Sequence, residues 1–129
     1  MIFVDSNVFM YAVGSEHRLK GESREFFDNA TAFDIPLVTS VEVVQELLHA
    51  YLPVQRINAF SDALSLVAEL EIEVWPLEMA DVMLAWKLRE QHPSLSARDL
   101  CHLASCRRRS VQEVMTFDRA LRSAFGSTL

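Results

Sequence analysis

The chain has 129 residues, half of them apolar, and a formal net charge of −6. Its length fits one domain of ordinary size, and its apolar content is too high for a disordered tail or a low-complexity linker. No apolar run reaches the roughly 18 residues that span a bilayer, and the apolar start before Asp5 is too short for a secretion signal. Two cysteines, Cys101 and Cys106, make no disulfide framework, which indicates the reducing cytoplasm. We therefore expect a single domain over residues 1–129 that is cytoplasmic and makes no contact with a membrane.

Charge is distributed unevenly along the chain. Between Arg98 and Arg122 six arginines stand against three acids, so that segment carries +3 and the rest of the chain −9. A basic segment on an acidic protein indicates two surfaces with different partners. A solvated arginine run at the end of a helix explains the same feature equally well.

Four short apolar runs predict buried strands. The first is Ile2-Phe3-Val4, an unbroken run typical of a strand that is buried on both faces. The others follow in chain order at residues 36–38, 72–75 and 114–115.

Helical patterns separate these runs. Seven helices are predicted. Three have both bounds, at residues 17–29, 80–91 and 96–108, and the other four are placed by their starts: directly after Asp5, at Thr39, at Pro53 and at Asp118. Proline suits the first turn of a helix, and the apolar stripe behind Pro53 consists of Ile57, Phe60, Leu64 and Val67. Because strands alternate with helices throughout, we predict an α/β fold in three layers, with a short-stranded parallel sheet between helices.

Acidic side chains collect at one edge of this predicted sheet. Asp5 directly follows the first strand and Asp118 follows the last, so both emerge at the carboxyl ends, where such sheets bind ligands. Glu46 and Asp99 lie on helices that begin after short connections and can face the same crevice. Four carboxylates in one place repel each other unless a cation or bound protons compensate them, and hard oxygen ligands favour Mg²⁺ or Mn²⁺.

Each acid also has an ordinary structural interpretation. Asp5 fits a helix cap, a task that Ser6 or Asn7 can share, and Asp118 precedes a helix in the same way. Glu46 fits an exposed helix position. Two segments match the capping box or its broader pattern: Thr39-x-x-Glu42 and Ser96-x-x-Asp99.

The sequence resembles the PIN-domain family, specifically the small VapC-type ribonuclease toxins of bacterial toxin–antitoxin pairs. The resemblance covers essentially the whole chain. It rests on four motifs, whose order and spacing together are more specific than any one of them alone. The residues that carry it are Phe3-Val4-Asp5-Ser6-Asn7-Val8, Ser40-Val41-Glu42-Val43-Val44-Gln45-Glu46-Leu47, Ser96-Ala97-Arg98-Asp99-Leu100-Cys101-His102-Leu103-Ala104 and Met115-Thr116-Phe117-Asp118-Arg119.

The resemblance implies a PIN-like fold and a ribonuclease that depends on Mg²⁺ or Mn²⁺. It assigns metal binding to Asp5, Glu46, Asp99 and Asp118, and it places Asn7 and Thr116 in the lining of the same pocket. It further implies an RNA substrate, a homodimer and a small antitoxin protein that blocks the pocket. Many relatives carry a further acid after the fourth one, whereas Arg119-Ala120-Leu121 follows here, which leaves Asp118 as the local candidate.

The arginines of the basic segment are candidates for guiding the RNA backbone towards an acidic pocket. Any of them equally fits a contact with a partner protein. The candidates are Arg98, Arg107, Arg108 and Arg119, followed by Arg109 and Arg122.

Other functions fit the residues less well. A receiver-type signalling module needs paired acids and a late lysine, but Ser6 follows Asp5 and no lysine follows Lys87. A phosphatase of the Asp-x-Asp type is excluded because position 7 is Asn7. A housekeeping RNA-processing PIN nuclease and a catalytically silent PIN-like binding module remain as alternatives.

Several histidines, tryptophans and methionines have a structural interpretation first. His49 and His102 are candidates for substrate contact, although a histidine on a helix is more often a structural or surface residue. We expect Trp75 and Trp86 in the core. Met79 and Met83 fit a packed helix face.

Overall fold

The computed structural model describes residues 1–126 of the chain. Within this range, four strands alternate with helices. The strands are β1 (Ile2–Val4), β2 (Leu37–Ser40), β3 (Glu73–Trp75) and β4 (Glu113–Met115). The helices are α1 (Ser6–Val13), α2 (Lys20–Ala32), α3 (Val41–Tyr51), α4 (Ile57–Glu69), α5 (Met79–Leu88), α6 (Ala97–Arg108) and α7 (Arg119–Gly126).

The strands form one parallel sheet in the order β3-β2-β1-β4. Helices α1 to α4 pack against one another, and α6 packs against both α5 and α7. The predicted α/β class with a short-stranded parallel sheet flanked by helices is therefore confirmed. None of the helices within residues 1–126 has the length and apolar character required to cross a membrane.

The core lies on both sides of β1, whose Phe3 and Val4 are fully buried. Fully buried Val8 and Phe9 of α1 join it on one side, and Leu103 of α6 contributes to the same core. Because β1 is a central strand between β2 and β4, its short apolar run is covered on both faces, as the sequence predicts.

Two predicted helix starts are wrong. Thr39 belongs to β2, where its buried hydroxyl donates to the carbonyl of Val4 at 2.8 Å. Ser40 caps α3 instead, since its hydroxyl accepts from the amide of Val43 at 3.2 Å. The Thr39-x-x-Glu42 pattern is therefore not the capping box of this helix.

The helix predicted to start at Pro53 begins at Ile57 instead. The stripe predicted behind it is also shifted, because Ile57 and Leu64 are exposed while Ala59 and Ala63 are buried. Small residues on this face let α4 approach α1 and α3 closely.

The apolar residues of α5 do not all face the core. Trp75 is buried as predicted, but Trp86 is 60% exposed, and the interpretation of Met79 and Met83 as a packed face is wrong because both are exposed. The guanidinium of Arg89 covers the ring of Trp86 at 3.5 Å from its centroid.

Candidate active site

The pairing of β1 with β4 brings Asp5 beside Thr116. Val4 pairs with Met115, and the amide of Asp5 donates to the carbonyl of Met115 at 3.0 Å. One oxygen of the buried Asp5 carboxylate accepts from the Ser6 amide at 2.8 Å, and the other accepts from the Thr116 hydroxyl at 2.6 Å. Asp5 is thus a helix cap and a member of the acidic cluster at once.

Thr116 connects three neighbours through its hydroxyl. Besides donating to Asp5, the oxygen accepts from the Asn7 amide at 3.3 Å and from the backbone amide of Asp118 at 3.0 Å. Asn7 in turn accepts from the amide of Phe117 at 3.2 Å. These bonds fix the two strand ends relative to each other.

Asp118 lies at the start of α7. One of its carboxylate oxygens accepts from the amide of Leu121 at 3.0 Å, so the expected capping role is present. The side chain remains partly exposed, and its charge acts on Asp99 from across the sheet edge.

Glu46 reaches the site from α3 and is held at both oxygens. The Ser6 hydroxyl donates to one oxygen at 2.7 Å, and Nε2 of His102 lies 3.0 Å from the other. Burial alone would raise the pKa of Glu46, but the hydrogen bonds from His102 and Ser6 outweigh it, and the pKa is lowered. The Glu46 carboxylate is therefore ionised at neutral pH.

Asp99 lies in the first turn of α6, which Ser96 caps through a 3.2 Å bond to the Asp99 amide. Burial raises the pKa of the Asp99 carboxyl, and the negative charges of Asp5 and Asp118 raise it further. The structure thus brings Asp99 within electrostatic range of both strand-end acids.

The donor set at this edge fits a divalent cation. Ligand atoms of Asp5, Glu46 and His102 all lie within 4.8 Å of one another. Burial chiefly raises the pKa of Asp99, and the charges of Asp5 and Asp118 add to the rise more than His102 and Ser96 offset it, as expected where carboxylates lie close together. Carboxylate oxygens are the ligands that Mg²⁺ and Mn²⁺ prefer.

Glu42 lies one helical turn before Glu46 and is not part of this group. Burial chiefly raises its pKa, with the charge of Glu46 adding to the effect. Nδ1 of His102 lies 3.8 Å from a Glu42 oxygen.

The arginines predicted to guide RNA lie in different places. Arg98 is exposed near the site, and its positive charge contributes to the lowered pKa of Glu46 and offsets part of the rise in the pKa of Glu42. Arg119 is exposed and directly follows Asp118. Arg122 donates to the carbonyl of Thr116, and Arg107 lines a separate cleft beside α7.

Arg108 and Arg109 bind two acids at the start of α5, Glu78 just before the helix and Asp81 in its first turn. Arg108 donates to Asp81 at 2.7 Å, and Arg109 donates to Asp81 at 3.0 Å and to Glu78 at 2.7 Å. Arg109 also lies over the ring of Trp75, 4.8 Å from its centroid. These contacts join the end of α6 to the start of α5.

Two polar residues of the site were not singled out by sequence reasoning. Ser6 was considered only as a shared helix cap, and His102 only as a structural or substrate-contacting residue. The spacing of His102, three residues after Asp99, places both on one face of α6 and is the signal that could have found it. The contact of Ser6 with Glu46 joins residues that are 40 positions apart, so no local pattern predicts it.

Comparison with protein-family models matches residues 2–125 to the PIN domain. Among curated proteins, the chain is 54% identical over 127 residues to ribonuclease VapC23 of Mycobacterium tuberculosis, covering 98% of this chain and 100% of that protein. Ribonuclease VapC13 of the same organism is 36% identical over 123 residues, covering 95% and 94% of the two chains.

Solved structures show the same fold. The crystal structure of VapC20 of Mycobacterium tuberculosis, a toxin that cleaves the sarcin–ricin loop, superposes with a TM-score of 0.76 at 18% identity, covering 99% of this chain and 95% of that one. A toxin–antitoxin complex from Klebsiella pneumoniae gives a TM-score of 0.65 at 16% identity, covering 92% and 87%. From the family match and the identity to curated relatives, the chain belongs to the PIN-domain family, among the VapC ribonucleases.

Proposed function

We propose that this protein is a divalent-metal-dependent endoribonuclease and the toxin of a VapBC-type toxin–antitoxin pair. Two observations support the proposal: Asp5 and Glu46 lie together with His102 in one cluster of possible metal-binding groups, and the charges of Asp5 and Asp118 both act on Asp99. Similarity to VapC ribonucleases along nearly the whole chain supports the same activity and a single nuclease unit over residues 1–129.

The four carboxylates are the proposed ligands of Mg²⁺ or Mn²⁺. A cation bound there supplies Lewis-acid chemistry, which activates a water for attack on the phosphodiester and offsets the charge that develops on the phosphate. Asp5 is held in place for this role by Ser6 and Thr116.

The remaining residues bind and orient the RNA substrate. Asn7 and Thr116 hold the pocket lining rigid between β1 and β4. The proposed contacts with the phosphate backbone fall to the exposed Arg98 and Arg119, because an acidic pocket needs neighbouring positive charge to attract a polyanion. Arg107 and Arg108 are more distant candidates, and Arg108 would first have to release Asp81.

RNA cleavage by the Asp99→Asn variant tests this function. The change removes one ligand and one repelling charge, so we expect cleavage in Mg²⁺ or Mn²⁺ to fall at least about 100-fold while the fold is kept. Asp28→Asn makes the same chemical change on the exposed face of α2 and serves as the matched control. Cleavage by the Asp99 variant at the parental rate would contradict the proposal, as would a parent that binds RNA without cutting it.

We propose that an antitoxin and a second copy of the chain are the protein partners in the cytoplasm. One of the structurally similar proteins was solved as a toxin–antitoxin complex, which supports the antitoxin as a partner. An exposed apolar stripe on α5 supports the second, since apolar patches of this kind mark interfaces. Its members are Met79, Val82, Met83 and Trp86.

Light scattering of the parent and of Trp86→Glu tests the dimer. The stripe predicts a dimeric parent and a monomeric variant, because a charge introduced into the stripe opposes its burial. A monomeric parent at micromolar concentration would contradict the proposed dimer without affecting the proposed nuclease activity.

A further inference from the structure

His102 occupies a buried position beside the acidic cluster. Its side chain is 1% exposed, and its ring packs against Phe3 of the central strand with 5.3 Å between ring centroids. The ring therefore lies between the apolar core on one side and the carboxylates of Glu42 and Glu46 on the other.

The imidazole is aimed at the carboxylate of Glu46. Nε2 lies 3.0 Å from one carboxylate oxygen, while the Ser6 hydroxyl donates to the other at 2.7 Å. The two donors come from α6 and α1, whereas Glu46 itself stands on α3. Three elements therefore meet at a single carboxylate.

The chemistry of this contact fixes the position of one proton. An ionised carboxylate accepts hydrogen bonds and donates none, so the hydrogen of the 3.0 Å bond resides on Nε2. A nitrogen that carries this hydrogen has no lone pair for a cation. Although a ring nitrogen of His102 lies close to Asp5 and Glu46, His102 in this arrangement is a donor to a ligand and not a ligand itself.

We propose that His102 is a positioning residue, which together with Ser6 fixes the carboxylate of Glu46 at the metal site. The inference rests on the proposed nuclease function and adds a residue outside the four acids. A flexible glutamate binds a cation more weakly when its carboxylate must be ordered at the moment of binding. In other metal sites, removing a residue that orients a ligand typically weakens metal affinity by roughly 10- to 100-fold.

Two substitutions at position 102 separate positioning from simple core packing. His102→Leu keeps an apolar group against Phe3 but removes the donor. His102→Gln places an amide donor near the former position of Nε2. His49→Leu, on the exposed face of α3, is the matched control.

Calorimetric titration of the metal-free proteins with Mn²⁺ is the main readout. We expect the Kd to rise about 10- to 100-fold in His102→Leu, to return close to the parental value in His102→Gln and to stay unchanged in His49→Leu. In RNA cleavage, the Leu variant should need more Mn²⁺ for half-maximal activity but regain most of the rate at saturating Mn²⁺. A purely structural histidine would change unfolding and leave the Mn²⁺ affinity alone.

Two results would overturn the inference. One is that His102→Leu binds Mn²⁺ with the same Kd as the parent protein. The other is an equal loss in the Leu and Gln variants, which would make His102 a direct ligand. A parent that binds no Mn²⁺ and cleaves no RNA would instead remove the proposed function itself, and the inference with it.

A measurement on the unmodified protein does not depend on any variant folding. In the metal-free protein, nitrogen NMR of the histidine rings should show a hydrogen on Nε2 of His102 that is protected from exchange, as a buried bond to Glu46 requires. A bare Nε2 would refute the donor role directly.

Discussion

Replacing Thr116 by valine tests whether a single hydroxyl holds the two strand ends of the site together. Valine keeps the shape of the side chain, which is 1% exposed, so the change leaves no large cavity. It removes the 2.6 Å bond to Asp5, the 3.3 Å bond from Asn7 and the 3.0 Å bond from the Asp118 amide. Any loss of stability therefore comes almost entirely from the missing hydrogen bonds and hardly at all from packing.

The magnitude follows from these three contacts. A bond to a charged carboxylate is worth about 1.5–3 kcal/mol, and leaving a backbone amide without a partner adds about 1 kcal/mol. The bond from Asn7 is longer, and its partly buried amide can turn to water, so it adds little. We expect the free energy of unfolding to fall by about 2.5–4 kcal/mol in the metal-free protein, which for a chain of 129 residues lowers the melting temperature by about 8–20 °C.

Urea denaturation in the presence of a chelator measures this change. Thr116→Ser is the matched control, because it keeps the hydroxyl and loses one methyl group, at a cost of about 0.5–1.5 kcal/mol. The valine variant should therefore be the less stable of the two. If it unfolds at the parental urea concentration, or later than the serine variant, the hydroxyl does not hold the site together.

Two further changes address the surroundings of the site. Asp81→Asn should lower the free energy of unfolding by about 2–3 kcal/mol at pH 7, because the fully buried carboxylate loses its charge opposite Arg108 and Arg109, whose own partial exposure limits the cost. Burial acts to raise the pKa of Asp81, but hydrogen bonds from the Glu78 amide and the two arginines outweigh burial and lower the pKa. The stabilisation by the ionised carboxylate is therefore fully present above about pH 4, and it is lost as the pH falls through the lowered pKa of the folded protein. Urea unfolding of parent and variant should accordingly converge in acid, and a difference that persists unchanged at pH 2 would contradict this. Glu46→Gln should abolish metal-dependent RNA cleavage whereas Glu42→Gln should have a much smaller effect, and the reverse order would reassign the ligand of α3.

The fold was predictable from short-range patterns where burial alone decides the structure. Ile2-Phe3-Val4 has to be buried on both faces, and the scarcity of glycine and proline leaves the helices uninterrupted. The ends of elements were less predictable. Thr39 fits a cap as well as Ser40 does, and only the hydrogen bond of Thr39 to the carbonyl of Val4 decides between them.

Trp86 shows a second limit of sequence reasoning. A large apolar residue on a helix usually faces the core, and nothing in the local sequence indicates that α5 leaves this ring exposed. The side that a helix presents depends on its neighbours, here the ion pairs that join α5 to α6 through Asp81.

The placement of the two strand-end acids was predictable from sequence, whereas the contacts that hold the acidic side chains were not. Asp5 and Asp118 follow strands, so topology alone brings them to one edge. Ser6 and His102 act on Glu46 from distant parts of the chain, and such contacts depend on how α1, α3 and α6 pack. Arg108 resembled a nucleic-acid contact in sequence because its acidic partner lies 27 residues away.

The melting temperature of the metal-free protein with and without Mn²⁺ tests the central claim most directly. A cation that binds only the folded state, present at 100 times its Kd, stabilises by about 2.7 kcal/mol, which corresponds to a rise of about 8–13 °C for a chain of this size. The account predicts this rise in the parent and in Asp28→Asn, and its loss in Asp99→Asn. An unchanged melting temperature in the parent, or the same rise in the Asp99 variant, would contradict a metal site built from Asp5, Glu46, Asp99 and Asp118.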